Sequence, residues 1–372
     1  MNIQLAHKIE LKPNDAQKGY FAKACGISRF TWNWGLAEWK RQYEDGLKPA
    51  GLELKKQFNA IKKELYPWVF EVLRDANSQP FSNLQTAFNR FFKNSSKYPQ
   101  FKKKSVNDSF YIANDKFKVE KKKIYIPKLG WVRMWECLNI SGKILSATIS
   151  RIADKWFVSI PLKMKITPGV CENQEAVGVD LGVKKLATIS NGEVFEGPKP
   201  HNALLNRLRR LNKSLSRKVK GSNNWKKAKL KLSRLHMKIG NIRKDALHKL
   251  TNHLVCEYDI IGIEDLNVNG MSKNHKLARS ILDMGFYEFK RQLEYKALIA
   301  GVKIVQADRF YPSSKLCSRC NHKKIDLNLS DRVYCCSNCG SIIDRDLNAA
   351  INLKNFAVGS TVKACGDAVR PK

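Results

Sequence analysis

Four cysteines in two pairs, Cys317-Ser-Arg-Cys320 and Cys336-Ser-Asn-Cys339, constrain this chain more than any other feature. Two residues separate the cysteines within each pair, and fifteen residues separate the pairs. Each C-x2-C turn brings two thiolates together, so two such turns supply the four ligands of a tetrahedral Zn²⁺ site. Asn321 and Gly340, directly after the pairs, tolerate the left-handed backbone that such knuckles need. Four thiolates leave no open coordination position, which makes one Zn²⁺ here structural, not hydrolytic. Cys335 adjoins Cys336, and spacing alone leaves the two interchangeable as a ligand. Cys25, Cys137, Cys171, Cys256 and Cys365 are scattered and read as ordinary buried or tail residues. The opening stretch "MNIQLAHKIELKPND" has no apolar secretory core. Cysteines used this way suit a reducing compartment, and a cytoplasmic location is expected.

The 372 residues hold 68 Lys and Arg against 33 Asp and Glu, a formal net charge of +35. A polyanion must normally neutralise so much positive charge, and nucleic acid is the usual one. With hydrophobic residues at 43%, the chain is a folded protein, not a disordered basic tail. No apolar run approaches the ~20 residues of a membrane span, so no membrane partner is expected.

Along the chain, residues 3–11 alternate as a strand that ends at Pro13. Residues 14–97 read as a helical lobe with turn signals at Asp45-Gly46 and around Pro80. Its aromatics, in "FTWNWGLAEW" and "FNRFF", read mainly as a helical core, with base stacking for one or two. From residue 98 the chemistry turns to strands: a hairpin in "FKVEKKKIYIP", then two strands around Ala153-Asp154. The first strand is expected to join these in a β-barrel over 1–13 and 98–172, with the helices inserted. Residues 203–254 read as a helical hairpin. Leu204, Leu208, Leu211 and Leu215 line one arm, and Leu232, Leu235, Ile239, Ile242 and Ala246 the other. Positions 201–250 hold sixteen Lys and Arg and one acid, Asp245. A solvated helix face would mix signs, so this one is expected to face phosphates. Residues 358–372 read as a loose tail.

Three acids are candidates for the chemistry. "EAVGVDLGVKKLATIS" is a buried strand ending at Asp180, and "YDIIGIEDLNV" is another that delivers Glu264 at its end. "DRDLNAAINL" opens a helix with Leu347, Ala350 and Ile351 on its apolar face and Asp346 in its first turn. Functional groups of α/β sheets gather at the carboxyl ends of strands. Three acids so placed can hold two Mg²⁺ ions about 4 Å apart, the arrangement suited to phosphodiester cleavage. Each acid also has an ordinary reading, as a turn cap, a lysine partner or a helix N-cap. Spacing does not separate Glu264 from Asp265, or Asp346 from Asp344.

The segments "GVDLGVKKLATIS", "IGIEDLN" and "DRDLNAAIN", with "SSKLCSRC…CSNCG" before the last, resemble the TnpB (OrfB) family. These are transposon-encoded RNA-guided DNA endonucleases related to compact type V CRISPR effectors. The resemblance is specific over about 174–357 and looser in "SRFTWNWGL" and "PKLGWVRM". It implies an α+β multidomain fold: a wedge-like β-barrel with an inserted helical recognition lobe, then an RNase H-like (RuvC) α/β nuclease domain. The nuclease domain would span 173–313 and 343–357, with a zinc-ribbon insertion over 314–342. It implies Asp180, Glu264 and Asp346 as the catalytic, Mg²⁺-binding trio, with Cys317, Cys320, Cys336 and Cys339 on one Zn²⁺. The implied partners are a guide RNA encoded at the transposon end and double-stranded target DNA, with a monomer favoured. A segment holding Arg74, Asn77, Ser78 and Gln79 could read the target-adjacent motif, but no motif there marks them. A nuclease-inactive repressor would not need all three acids. A strand-joining transposase would need a His-x-His pair, which none of the seven histidines forms. A plain zinc-dependent RNA-binding protein leaves the strand-end acids without a role.

Overall fold

The computed structural model describes residues 2–167, 175–328 and 330–366, with side chains as far as residue 360. Cys171, the side chain of Cys365 and the expected boundary at 172/173 lie outside the described residues. The chain divides into two compact units, Met1–Ile166 and Thr167–Lys372. No helix among the described residues is long and apolar enough to cross a membrane.

In the first unit, the alternating strand Asn2–Lys12 lies at the centre of an eight-stranded sheet. It pairs antiparallel with Lys155–Lys165, from Asn2↔Lys165 to Leu11↔Trp156, and at its far end with Gly130–Met134. Ala153, at φ 56°, makes the turn between Ser146–Ile152 and Lys155–Lys165. The outermost strands, Ser109–Ala113 and Lys118–Glu120, do not pair with each other among the described residues. The expected barrel is therefore an open sheet, because a three-residue edge strand offers too short a ladder to close it.

Asn14 and Gln17 form a reciprocal capping box, at 2.8 and 3.1 Å, that starts the 30-residue helix Asp15–Glu44. Gly51–Leu65 and Asp75–Phe92 follow. The turn expected around Pro80 is instead the interior of Asp75–Phe92. Burial of Phe81, Leu84 and Phe88 holds that helix together, and proline removes just one intrahelical bond near its start. Most of the aromatics are core: Phe21, Phe58 and Phe81 are buried, and Trp39 stacks on Phe88 at 4.0 Å. Tyr43 and Phe92 remain exposed.

The second unit is built on a five-stranded mixed sheet in the order Val194–Phe195, Ala187–Ile189, Ala176–Leu181, Ile260–Glu264, Lys303–Ala307. The first three strands are antiparallel, and the last three run parallel in the register Ile263↔Val179 and Ile263↔Gln306. The helix Arg345–Gly366 crosses this sheet on the glycines. Gly178 and Gly262 are register partners, and a Cβ on either would collide with the helix backbone at Ala350 or Leu353. The helix continues to Gly366, beyond the expected start of the tail at 358; residues 367–372 lie outside the described residues.

The helical hairpin consists of Leu205–Ser216 and Asn223–Glu257, broken at "GS" and capped by Ser222, which accepts from Trp225 N–H. Leu208, Leu235 and Ile239 form its own small core, with Leu204, Leu211 and Leu232 packed against them. Asp245, the one acid within positions 201–250, pairs with Lys249 at 2.8 Å, and the next acid, Glu257, is the last residue of the second helix, so most of the hairpin is basic. At its base Arg243 pairs with Asp283, which is 3% exposed and also accepts from the His201 and Asn202 N–H groups.

Candidate active site

Asp180 belongs to the strand Ala176–Leu181, and Glu264 ends the parallel neighbour Ile260–Glu264. Alternation along these strands puts Asp180 on the face of Gly178 and Glu264 on the face of Gly262, the face the helix covers. Asp346 is the second residue of that helix. The close approach allowed by two glycines thus delivers the start of the helix to the two strand ends. Hydrophobic runs bury Val177, Val179, Ile261 and Ile263, and the acids at the strand ends are half-buried.

The electrostatics follow from this crowding. Burial, the Glu264 and Asp346 carboxylates and, more weakly, Asp344 hold Asp180 well above the ordinary aspartate value of 3.8, opposed by Arg345. Burial raises Glu264 as well, while a hydrogen bond from Ser313 Oγ to its Oε1 pulls the other way. A half-buried cluster of acids that resist ionising together is stabilised when a cation joins it. Hard carboxylate oxygens suit Mg²⁺.

The residues that spacing could not separate take different surroundings. Asp344 ends the strand Ile342–Asp344, and its Oδ1 accepts from the N–H groups of Asp346 and Leu347, so it is the N-cap of the helix. Asp265 pairs with Arg309 at 2.6 Å, at the exposed edge of the site. A cavity of about 410 Å³ opens beside Glu264, floored by Leu181 and Phe289 and edged by Lys290, Arg291 and Arg309.

The second cluster is the four cysteines. The sulfurs of Cys317, Cys320, Cys336 and Cys339 all lie within 4.8 Å of one another. Cys317–Cys339 and Cys320–Cys336 are each 3.6 Å apart. Thiolates about 2.3 Å from a tetrahedral Zn²⁺ would stand about 3.8 Å apart, so the donor set fits. The His322 backbone N–H and the Asn338 amide lower the Cys320 thiol to about 6, whereas Cys339, despite the Ser341 N–H, is pushed up to about 12 chiefly by the Cys320 sulfur, so the four do not all ionise without a cation. Cys335 ends the strand Val333–Cys335, is exposed, and lies outside the cluster. Tyr334 between them points inward, fully buried, and its hydroxyl donates to the Lys315 and His322 carbonyls. Asn321, at φ 59°, and Gly340, at φ 69°, make the left-handed turns.

Among the described residues, this is the one group of three or more metal-ligating side chains gathered within 4.8 Å. Asp180, Glu264 and Asp346 are spaced more widely than that.

The two clusters are tied together by residues that sequence reasoning did not single out. Asn348 donates to the Leu316 carbonyl at 2.6 Å and accepts from Ser318 N–H at 2.9 Å. Asn352 donates to the Ser313 and Leu316 carbonyls at 2.7 and 2.8 Å. The signal was available: two asparagines four apart on a helix stripe that includes Ala349 and Leu353 demand buried partners.

Comparison with known proteins bears on the whole chain. Residues 159–275 match the family model OrfB_IS605, described as "Probable transposase", and residues 286–353 match "Cas12f1-like, TNB domain". Residues 1–48 match a model called "Helix-turn-helix domain", although here they form one strand and one long helix. The chain is 36% identical to "Putative RNA-guided DNA endonuclease InsQ" of Escherichia coli (strain K12), over 98% of this chain and 94% of that protein. It is 35% identical to "Putative RNA-guided DNA endonuclease" of Streptomyces pristinaespiralis, over 100% and 93%. Its fold is similar to that in "Cryo-EM structure of the Cas12f1-sgRNA-target DNA complex", with TM-score 0.58 at 15% identity, over 91% of this chain and 83% of that one. With near-full-length relatives at this identity, the chain belongs to the TnpB/OrfB family of IS605-type elements.

Proposed function

We propose that this chain is an RNA-guided DNA endonuclease of an insertion-sequence element, cutting double-stranded DNA beside a short motif. The observation that carries the reading is the convergence of Asp180, Glu264 and Asp346, with Asp180 held above the carboxylate range by burial first and then by its acidic neighbours. A fold needing only to bind nucleic acid has no use for three crowded acids beneath a +35 surface. The names of the relatives supply the reaction class and its RNA guidance.

In this reading the second unit is an RNase H-like (RuvC) nuclease domain that carries a zinc ribbon over 314–342. The sheet and helices of the first unit are its wedge-like and recognition parts, which grip the guide RNA. The guide is encoded at the transposon end, and the protein works as a monomer in the reducing cytoplasm, where its thiolates stay available.

Asp180, Glu264 and Asp346 would hold two Mg²⁺ ions. When bound, Mg²⁺ neutralises charge on the attacking and leaving oxygens of a phosphodiester. The chain's own groups do the rest. Lys290, Arg291 and Arg309 draw phosphates to the cleft rim. The hairpin supplies a sequence-independent, salt-sensitive grip on nucleic-acid backbone.

Cys317, Cys320, Cys336 and Cys339 would hold one Zn²⁺, which folds the ribbon from which the Asp346 helix emerges. Metal analysis should return about one zinc per chain, lost in Cys336→Ser and kept in Cys335→Ser. Zinc lost from Cys335→Ser and kept in Cys336→Ser would place the ligand one residue earlier.

The function is tested by isolating the protein under native conditions and sequencing the RNA that accompanies it. One RNA species ending in sequence from the DNA flanking the element is expected. Protein that copurifies without RNA, yet cuts DNA at a fixed sequence, contradicts the reading.

A further inference from the structure

Between the strand Lys303–Ala307 and the first cysteine pair lies a serine with two unusual attachments. Ser313 is 4% exposed, and its hydroxyl donates to Oε1 of Glu264. Its carbonyl is held by Asn352, which is 1% exposed on the helix that opens with Arg345 and Asp346. The next turns of the loop are held by Asn348 and Asn352 through Leu316 and Ser318. The hydroxyl is therefore fixed by the same helix that presents the third acid.

A glutamate has three rotatable side-chain bonds, and ordering it costs conformational entropy that must be met elsewhere. A hydrogen bond to one carboxylate oxygen selects a rotamer and leaves the other oxygen to meet a cation. Outer partners of this kind set the affinity of a metal site as strongly as some of its ligands do.

We propose that Ser313 is a positioning residue for Glu264, holding one carboxylate oxygen so that the other is fixed toward the divalent cation site. The proposal rests on the reading of Asp180, Glu264 and Asp346 as that site. It is tested with Mn²⁺ as the probe. The RNA-loaded protein is titrated and free Mn²⁺ followed by electron paramagnetic resonance, with ions bound by the Asp180→Ala complex subtracted as background.

Ser313→Ala should weaken the remaining, site-specific Mn²⁺ binding about 10- to 100-fold, with unfolding temperature and zinc content at wild-type values. Ser313→Cys keeps the volume with a weaker donor and should fall between, which preserves the comparison if the alanine variant folds poorly. In a Glu264→Ala background, Ser313→Ala should cause no further loss, because its effect passes through that carboxylate. Wild-type Mn²⁺ affinity in Ser313→Ala overturns the proposal, as does the same fold-loss with Glu264 absent. If the wild-type complex binds no more Mn²⁺ than Asp180→Ala, the cation reading itself has failed, and the role of Ser313 falls with it.

Discussion

Asp180→Ala, Glu264→Ala and Asp346→Ala should each lower target-DNA cleavage on the order of a thousandfold or more, since even outer-shell partners of a metal site are worth about 10- to 100-fold. Binding of RNA and DNA should stay near the wild-type level, because removing one carboxylate scarcely changes a +35 surface. Asp344→Ala should behave differently. Its carboxylate caps the helix, so its loss costs about 1 kcal/mol of stability and a smaller share of activity. Loss of cleavage in Asp344→Ala with activity retained in Asp346→Ala would reverse that assignment.

The same variants carry a pH signature. Asp180 has a folded-state pKa raised by burial and by Glu264 and Asp346. A raised carboxyl binds more protons folded than unfolded, so its stabilising contribution is present below its ordinary pKa of 3.8 and lost as pH rises through the folded value. In chelator, wild-type unfolding temperature should therefore fall as pH rises above about 4. Asp180→Asn should flatten that fall, and Mg²⁺ should offset it in the wild type. An identical pH profile in Asp180→Asn would show that the acids are not crowded as described.

The second large effect is steric. Gly178→Val or Gly262→Val places carbon where the backbone of the Asp346 helix already lies. Backbone cannot rotate away as a side chain can, so the cost should reach at least about 3 kcal/mol, the upper end of ordinary overpacking. In a unit of this size that lowers the unfolding temperature by roughly 6–12 °C. The displaced helix should take cleavage with it. Gly240→Ala is the control: its added Cβ meets nothing within 4 Å, and a helical alanine should stabilise by about 0.5–1 kcal/mol. Unchanged stability in both valine variants would mean that the helix does not rest on the sheet at these glycines.

These contrasts show what one sequence reveals and what it hides. The strands carrying Asp180 and Glu264 were legible because a buried parallel strand is a short apolar run with turn chemistry after it. The hairpin was legible because its leucines and isoleucines keep helical spacing on both sides of "GSNN", although Asn223 and Asn224 of that expected break already belong to the second helix. Pro80 misled because a local breaking signal was outweighed by burial of Phe81, Leu84 and Phe88, which are contacts made at long range. The open edge of the first sheet was hidden because closure depends on which strands meet, which alternation does not encode. Spacing did not separate Asp344 from Asp346, since both fit the first turn of a helix; the resemblance alone chose Asp346, and the structure adds that Asp344 is the helix cap. Ser313 opens the segment "SSKLCSRC", but nothing in that segment marks it as a partner of Glu264. Its place is defined by Asn352 and Glu264, far away in the chain.

The most direct measurement exchanges the guide. The RNA that copurifies with the protein is resynthesised with its terminal segment replaced, and the complex is offered DNA carrying the new complement beside the original flanking motif. Base pairing would then choose the target while the protein reads helix shape and the short motif. Cleavage that moves to the new sequence in Mg²⁺, and disappears in Asp180→Ala, is the expected result. Cleavage that stays at the old sequence, or that RNA-free protein performs unaided, would contradict RNA guidance and leave a nuclease that reads DNA directly.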